Sequence, residues 1–504
     1  MKLTEQLKKP TWIAAIFAFV TGIAVHLFGL VNILHNHDNI TRSWGYGDGI
    51  SSGRWFLHLV GEAVSAIGGN VNLPLVCGVI FIAFLALSAA LFVSVIGIKG
   101  RKSAAIIGAV FVTFPAVTST MFYRYTAGYY GLAIFLSVLA VWVIDKNKFG
   151  FIISGVFTAL ALGIYQAYLP LTVAMLVLVM IKRVLTEDES FLKHLLRGIR
   201  YCASVVIGLV LYFVIMRLSL AVMGIELTGY QGIGTMGKLS ISQIPSLVIT
   251  AFKSFILMPF ENYCSLSSIN AIKYSYIFLG LVTVATVIYV LIIKKKKLTD
   301  VIMTVFLGVM FPIAVNLIVI MCPDSVIYTL MVYSFAVVLC TPIVLVETCP
   351  AGSIRKYTSA GAMALVLCLV MSYSYLANVN YSSMYYANRQ TENYLNGLIT
   401  QIRSTEGFTA DKKWVLVGDY INDPLFYDPW QSVDIFGGSA HTYGTINGYS
   451  RNWWIESYTG ITPPWADGNT TKKIENSDEV ADMPTWPDSG SIQIIDDVVV
   501  IKIS

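Results

Sequence analysis

The stretch "LPLVCGVIFIAFLALSAALFVSVIGIKGRK" (residues 73–102) joins a long apolar run to a basic cluster. About 20 apolar residues in a helix are enough to cross a hydrocarbon core roughly 30 Å thick. The whole chain shares this character, since 56% of its 504 residues are hydrophobic and only 12% are charged. Soluble proteins carry about 25% charged residues. The sequence therefore predicts a polytopic α-helical membrane protein.

Eleven apolar segments predict about eleven transmembrane helices. They cover residues 12–34, 73–98, 103–121, 127–144, 149–166, 167–181, 199–222, 272–293, 299–321, 326–347 and 357–379. A twelfth segment, 241–260, has Lys253 near its middle and prolines near both ends. We interpret it as an amphipathic helix at the external interface of the membrane, with a tilted or re-entrant helix as the alternative.

The distribution of positive charge predicts the orientation of the chain in the membrane. The N-terminus and the short connections after alternate spans hold 19 of the 34 Lys and Arg residues, among them "KGRK" (99–102) and "KKKK" (294–297). Because short cytoplasmic loops are enriched in Lys and Arg, we expect a cytoplasmic N-terminus and external loops at 35–72 and 223–271. The opposite orientation would place both basic clusters outside.

Residues 380–504 differ from the rest of the chain, because they contain no candidate span and are rich in Asn, Asp, Tyr, Trp and Pro. A helical spacing of three or four residues relates Met384, Asn388, Thr391, Leu395, Leu398 and Ile402. "KKWVLVGDY" (412–420) predicts a buried strand, and "SIQIIDDVVVIKIS" (491–504) predicts two strands joined by a turn at Asp496-Asp497. We therefore expect a transmembrane domain over 1–379 and an extracytoplasmic α/β domain over 380–504.

Three polar clusters lie between predicted spans on the external side. They are "HNHDNITRSWGYGDGISSGRW" (35–55), "STMFYRYTAGYY" (119–130) and "GIYQAYLP" (163–170). Because the predicted topology puts all three at the same membrane level, we expect them to contribute to one site.

Asp38 is the first candidate for a functional group in this site. An acid directly after a span is often only a hydrated helix terminator, which is the simpler interpretation. Here, however, a loop of about forty residues follows, which is long for a connector. Its segment 54–67 has apolar residues near helical spacing and predicts a helix lying on the membrane surface. We therefore expect Asp38 to be functional.

Arg54 and Arg124 are candidates for binding a phosphate group, because guanidinium presents a planar set of donors that fits phosphate oxygens. Snorkelling to lipid headgroups is the alternative for each, and Arg42 is a weaker candidate. Candidates for sugar or acceptor contacts are Asn39, Trp44, Asp48, Trp55, Tyr125, Tyr165 and Gln166. Aromatic rings offer flat faces for sugars, although interfacial belts also enrich Trp and Tyr. The Gln166 amide suits either a sugar hydroxyl or a bridge between helices.

No cofactor or metal site is predicted. His35, His37 and Asp38 alternate in a way that fits one helical face poorly, so a divalent cation is not supported. Motifs for phosphate loops, serine hydrolases and metalloproteases are absent from the sequence, the seven cysteines are scattered singly, and no nucleic-acid partner is expected. The internal loops are too short for a domain that binds a nucleotide-sugar. A glycosyltransferase of this form must therefore take its donor from the membrane.

The order of these elements resembles one family. "HDNITRSWGYGDGISSGRW" (37–55) is similar to the acid pair, arginine, Gly/Trp stretch and GR motif of bacterial membrane glucosyltransferases of the Gtr serotype-conversion type. "GIYQAYLP" resembles that family's YQ element, and "MPTWPDSGSIQIIDDVVVIKIS" (483–504) resembles its terminal segment. One departure is that Asn39 follows Asp38 where two adjacent acids are common, which leaves Asp38 alone as the candidate base.

The resemblance implies a GT-C fold in a bacterial cell membrane, with the active site at the outer face. It implies transfer of a sugar, typically glucose, from a polyprenyl-phosphate donor to a cell-surface glycan such as O-antigen, with inversion. Asp38 would act as the general base, and Arg54 and Arg124 would stabilise the departing polyprenyl phosphate. Expected partners are membrane lipids and a polyprenyl-phosphate glucosyl synthase and flippase of the same pathway.

Three other classes of protein remain as alternatives. A polymerase or ligase of lipid-linked glycans would be expected to have one dominant external loop and no C-terminal α/β domain. A transporter of lipid-linked sugars would need polar residues along its path, whereas charges within the predicted spans are nearly absent. A non-catalytic anchor would not need eleven spans. We therefore favour the glycosyltransferase.

Overall fold

The computed structural model describes residues 9–42, 44–47, 49–229, 240–323, 325–418, 436–438 and 448–503. The chain divides into two compact units. The first, here called the membrane unit, comprises Met1–Asn32, Trp44–Asn378 and Asp434–Gly437. The second, here called the α/β unit, comprises Ile33–Ser43, Val379–Val433 and Gly438–Ser504. Residues that directly follow the first helix therefore belong to the same unit as the C-terminal part of the chain.

Apolar helices make up most of the membrane unit. In chain order they are α1 (Pro10–Val31), α2 (Trp55–Gly68), α3 (Pro74–Ile96), α4 (Arg101–Thr113), α5 (Pro115–Met121), α6 (Arg124–Val143), α7 (Gly150–Ile164), α8 (Leu169–Thr186), α9 (Phe191–Met223), α10 (Ile244–Glu261), α11 (Asn270–Ile293), α12 (Leu298–Val315), α13 (Ile318–Met321) and α14 (Phe335–Val346). The next helix, α15 (Ser353–Ser404), contains the division between the two units, which falls after Asn378.

Local sequence signals set the ends of these helices. α3, which the opening stretch forms, has Pro74 in its first turn, where the missing N–H of proline removes no helical hydrogen bond. It ends at Gly97, whose φ of 71° is the left-handed conformation that favours glycine after a helix. Proline also occupies the first turn of α1 and α5. Prolines in the first turn thus mark where α1, α3 and α5 begin, and a glycine marks where α3 ends.

Nine helices in the described part of the chain are long and apolar enough to cross a membrane, or ten if the bent pair α4 and α5 forms one span. This supports the polytopic architecture, with fewer full-length spans than the eleven predicted. α7 and α14 have only 15 and 12 residues. At 1.5 Å per residue they measure about 22 and 18 Å, less than a hydrocarbon core of about 30 Å.

α10 covers the segment that we interpreted as interfacial, and it too is long and apolar enough for a span. Its prolines lie in the first turn and at Pro259, close to the last residue, so the helix still reaches 18 residues. Proline in the first turn leaves a helix intact. The two prolines therefore leave α10 long enough for a span, and its position at the membrane interface stays a prediction.

The α/β unit contains a small mixed sheet with helices. Its described elements after α15 are β1 (Trp414–Val417), α16 (Arg451–Thr459), α17 (Gly468–Glu475), α18 (Asp478–Ala481), β2 (Ile492–Ile495) and β3 (Val498–Lys502). The strand order is β1-β3-β2, with β1 parallel and β2 antiparallel to β3. Both strand predictions, within 412–420 and within 491–504, are confirmed.

The turn between β2 and β3 is also the one predicted. Asp496 and Asp497 have φ values of 48° and 64°. A two-residue type I′ hairpin turn requires positive φ at both central residues, and its twist matches that of the paired strands. Asp is one of the non-glycine residues that most often adopt this conformation. The "DD" pair therefore sets the register in which Ile492 lies opposite Ile501.

The core of the α/β unit confirms the predicted helical spacing. The six residues predicted to share one helical face, the first Met384 and the last Ile402, are all buried in α15. Leu398 and Ile402 pack in one hydrophobic cluster with Trp414 of β1. Ile40, which is 1% exposed, belongs to the same cluster. The segment after the first helix is therefore anchored in this core by an apolar side chain.

Candidate functional site

Asp38 lies in a tight turn of the α/β unit that Asn36 organises. The Asn36 side-chain oxygen accepts hydrogen bonds from the backbone N–H groups of Asp38 (3.1 Å) and Asn39 (2.8 Å). The Asn36 amide nitrogen donates to the carbonyl of Gly438 at 2.8 Å. Asn36 and Asn39 are both fully buried. Asn side chains commonly form such turns by bonding the backbone two or three residues ahead.

The Asp38 carboxylate itself remains accessible, with 31% of its side chain exposed. One of its oxygens lies 3.6 Å from Nε2 of His37. The Thr41 hydroxyl donates to the Asp38 carbonyl at 2.9 Å and lies 3.2 Å from the hydroxyl of Tyr449. A carboxylate held on a fixed backbone but open to solvent can accept a proton from a bound hydroxyl group. Arg42, which follows in the same segment, is half-buried.

In the membrane unit, the GR motif places Arg54 at the start of α2. Gly53 has a φ of 70°, and a β-carbon added there would lie 2.7 Å from the Tyr212 hydroxyl. Glycine is therefore required for both its conformation and its lack of a side chain. The Arg54 guanidinium carbon lies 5.1 Å from the centre of the Tyr165 ring, within the range of a cation–π contact. Tyr165 in turn stacks on Tyr130, with ring centres 4.3 Å apart.

Gln166 connects the same group of residues by hydrogen bonds. Its amide nitrogen donates to the carbonyl of Ser52 and to the hydroxyl of Tyr212, both at 2.9 Å. This geometry is the bridge between elements that we considered alongside a sugar contact. Trp55 is buried in a cluster with Tyr212, and its indole N–H is buried without a hydrogen-bond partner among the described residues. The buried N–H is a donor that a ligand oxygen could satisfy.

Arg124 is almost completely buried at the start of α6, with 3% exposure. One of its terminal nitrogens donates to the carbonyl of Asn32, the C-cap residue of α1, at 3.3 Å. A cation there stabilises the negative end of the helix dipole. The neighbouring Tyr125 ring lies against Gly47, where a β-carbon would come within 3.0 Å of it. Arg124 therefore has a structural role at the end of the first helix, besides the phosphate contact that we predicted.

Tyr46, His58 and Glu62 form a further hydrogen-bonded group in the membrane unit. The Tyr46 hydroxyl donates to the Glu62 carboxylate at 2.8 Å and lies 2.6 Å from Nδ1 of His58. Burial, followed by the hydrogen bond to Glu62, raises the pKa of Tyr46 above its ordinary value. His58 and Glu62 are four residues apart on α2, so they share one face of the helix. That spacing was a signal available in the sequence.

The predicted site residues thus fall into separate groups. Asp38, Asn39 and Arg42 belong to the α/β unit. The membrane unit brings Arg54, Trp55, Tyr165 and Gln166 together, places Arg124 and Tyr125 at the start of α6, and leaves Trp44 69% exposed beside Val71. Asp48 lies outside the described residues. No group of three His, Cys, Asp or Glu side chains that could hold a metal ion occurs in the described parts of either unit.

Comparison with known families gives this geometry its context. The model of one family, Glucosyl transferase GtrII, matches residues 27–339, which is more than half of the chain. The chain belongs to this family. The GtrII match therefore confirms the family that the motifs at 37–55 and 163–170 resemble. No curated protein and no solved structure matches the chain.

The GtrII match covers the candidate site residues but not the C-terminal part of the α/β unit. It includes the Asp38 turn and all predicted residues of the membrane unit. It ends at residue 339, within α14, so α15 and the sheet lie outside it. The C-terminal resemblance at 483–504 is likewise outside the matched range. Part of the unit that carries Asp38 is therefore not described by the family model.

Proposed function

We propose that this GtrII glucosyl transferase moves glucose from a polyprenyl-phosphate donor to a cell-surface glycan at the outer face of a bacterial cell membrane. The observation that carries the proposal is the family match, which indicates glucosyl transfer. The membrane architecture favours a lipid-linked donor over a soluble nucleotide-sugar. A GT-C type fold, a cytoplasmic N-terminus and an extracytoplasmic α/β unit complete the proposal.

In the proposed reaction, Asp38 is the general base. A hydroxyl oxygen of the acceptor glycan attacks the anomeric carbon of glucose while its proton passes to the Asp38 carboxylate. The bond between the anomeric carbon and the phosphate oxygen breaks, and its electron pair leaves with polyprenyl phosphate. One direct displacement inverts the configuration at the anomeric carbon. The accessible carboxylate on its fixed turn supports this role.

Arg54 is the proposed ligand of the donor phosphate. Negative charge on the phosphate grows as it leaves, so a positioned guanidinium stabilises the transition state more than the ground state. The contact with Tyr165 holds the guanidinium in place. The buried indole N–H of Trp55 supplies a second donor next to Arg54 in sequence. Arg124 has a weaker claim, because its guanidinium already caps α1.

The α/β unit is the proposed holder of the acceptor glycan. Its segment 449–460 presents Tyr449 and Trp453 to solvent, with exposed fractions of 56% and 44%. Exposed Tyr and Trp rings offer flat apolar faces on which a sugar can stack, with a polar group at the ring edge. Tyr449 lies 3.2 Å from Thr41 of the Asp38 turn. The acceptor and the base would thus be held by the same unit.

The proposed reaction also requires other enzymes that supply its lipid-linked donor. Its donor must be made by a glucosyl transferase that charges polyprenyl phosphate, and must then cross the membrane with the help of a flippase. The lipid product, polyprenyl phosphate, is the same compound that the charging step consumes. Membrane lipids and the acceptor glycan complete the expected partners.

The test is glucosyl transfer by the purified full-length protein from radiolabelled polyprenyl-phosphate glucose to glycan from the source cell. Wild type should transfer glucose once per site on the acceptor. Asp38→Asn should remain folded and lose roughly 10²- to 10⁴-fold in rate, as expected for loss of a general base. Asp482→Asn, which changes an exposed acid of the same unit, is the matched control and should leave the rate unchanged.

Other outcomes would refute parts of the proposal. A wild-type rate in folded Asp38→Asn would remove Asp38 as the base. Products that grow by whole glycan repeats would indicate a polymerase or ligase. Movement of the labelled lipid across the vesicle membrane without any transfer would indicate a transporter.

A further inference from the structure

A side chain of α15 contacts the backbone next to the Asp38 turn at two points. The backbone N–H of His35 donates to the side-chain oxygen of Asn388 at 2.7 Å. The side-chain nitrogen of Asn388 donates to the carbonyl of His35 at 2.8 Å. Both backbone hydrogen-bonding groups of His35 are therefore engaged by one amide. The two residues are 353 positions apart in the sequence.

The surroundings fix this amide in one orientation. Asn388 is 5% exposed, and its side-chain oxygen also lies 3.3 Å from the hydroxyl of Tyr458. The His35 ring meets the rings of Trp454 and Tyr458 edge-on, with centres 6.0 and 6.1 Å apart. Trp454 is completely buried. A buried amide with these partners cannot rotate without losing hydrogen bonds that water does not replace.

Two residues separate His35 from the proposed base, Asp38, and the first of them, Asn36, makes the next contact. Asn36 bonds the N–H groups of Asp38 and Asn39, so the chain turns directly after the Asn388 contact. On the far side of the turn, Ile40 is anchored in the hydrophobic cluster of the α/β unit. The backbone of Asp38 is thus fixed on both sides, while its carboxylate stays accessible.

We propose that Asn388 is a positioning residue for the Asp38 carboxylate, and that the part of the chain beyond the GtrII match is needed for catalysis for this reason. The inference rests on the proposed function. Asn388 touches neither substrate; it sets where the Asp38 turn lies in the α/β unit. A shift of about 1 Å in a catalytic group is enough to slow a reaction by up to about 10²-fold.

The experiment is a double-mutant cycle between Asn388→Leu and Asp38→Asn in the glucosyl transfer assay. Leu has the same number and branching of side-chain heavy atoms as Asn but makes neither hydrogen bond with His35. Asn388→Leu alone should lower kcat roughly 10- to 100-fold with little change in the KM for the lipid donor. In the Asp38→Asn background the same substitution should have almost no further effect, because the base through which it acts is already absent.

Two further variants separate positioning from folding. Asn388→Asp keeps one oxygen as an acceptor for the His35 N–H but sets a second oxygen against the His35 carbonyl, so it should also lower kcat if Asn388→Leu does not fold. Leu398→Ala removes a core side chain from the same helix without touching His35. It should lower the thermal stability and leave the kcat of the folded fraction near the wild-type value.

The outcomes distinguish this inference from the proposed function. Full activity of folded Asn388→Leu, beside an inactive Asp38→Asn, would overturn the positioning role and leave the proposed function standing. An equal loss in both backgrounds would also overturn it, because Asn388 would then act independently of Asp38. Full activity of Asp38→Asn, or no transfer by wild type, would instead refute the proposed function.

Discussion

Replacement of Gly53 by alanine tests how the membrane unit holds Arg54. Gly53 has a φ of 70°, and its added β-carbon would lie 2.7 Å from the Tyr212 hydroxyl and 3.1 Å from the Gln166 amide nitrogen. Contacts below 3.0 Å require one of the groups to move. Tyr212 and Gln166 are bonded to each other at 2.9 Å, so moving either one strains that hydrogen bond.

The expected cost follows from two contributions. Left-handed backbone costs an alanine about 1 kcal/mol relative to glycine. A buried hydrogen-bonding group that loses its partner costs about 1–3 kcal/mol. Together they predict that Gly53→Ala lowers the free energy of unfolding by about 2–4 kcal/mol. The KM for the lipid donor should also rise, because Arg54 is the next residue.

Thermal denaturation of the detergent-purified protein measures this loss of stability. The readout is the fraction of protein that stays monodisperse at each temperature. Gly68→Ala is the matched control, since Gly68 has an ordinary helical φ and no atom within 4 Å of an added β-carbon. It should not lower stability. Tyr212→Phe removes the oxygen that the β-carbon meets, so it should cost less in the Gly53→Ala background than in wild type. Wild-type stability of Gly53→Ala, or costs that simply add in the double variant, would refute the reasoning.

Two further predictions concern other parts of the molecule. Hydrogen bonds from Arg197 and then Lys193 lower the pKa of the Glu189 carboxyl group to about 2. The ionised carboxylate therefore stabilises the folded state above the unfolded pKa of about 4.3, and this stabilisation is lost as pH falls towards 2. Glu189→Gln should therefore lower Tm at pH 7, and the difference from wild type should narrow below pH about 4; a constant difference would contradict this. Trp453→Ala should change stability by no more than about 0.5 kcal/mol but raise the acceptor KM, whereas buried Trp454→Ala should cost about 3–5 kcal/mol. An unchanged acceptor KM in Trp453→Ala would remove that ring from the acceptor surface.

Features that depend on neighbours in the chain were predictable from the sequence. Apolar runs bounded by proline and glycine gave helices, because a helix satisfies its own backbone hydrogen bonds. The hairpin at Asp496-Asp497 and the buried face of α15 followed from local turn preference and from a period of 3.6 residues. The motifs at 37–55 and 163–170 led to the correct family for the same reason, since each is contiguous in the sequence. The lengths of α7 and α14 were overestimated, because apolar loop residues extend a hydrophobic run beyond the helix.

Contacts between distant residues were not predictable in this way. Asn388 appeared in the sequence only as one polar member of a buried helical face, and a buried amide must have a partner. Nothing local indicates that the partner is the backbone of His35. Gln166 likewise suited a sugar or a helix bridge, and only its distances to Ser52 and Tyr212 favour the bridge.

The sequence by itself determined that the chain is a polytopic membrane protein, where most of its helices and all three described strands form, and which family it resembles. Only the tertiary structure decided that residues 33–43 belong to the α/β unit and that Asn36 and Asn388 hold the turn around Asp38. The physical reason is the range of the interactions. Hydrophobic periodicity and turn conformation are properties of neighbouring residues, whereas the partner of a buried polar group is set by the folding of the whole unit.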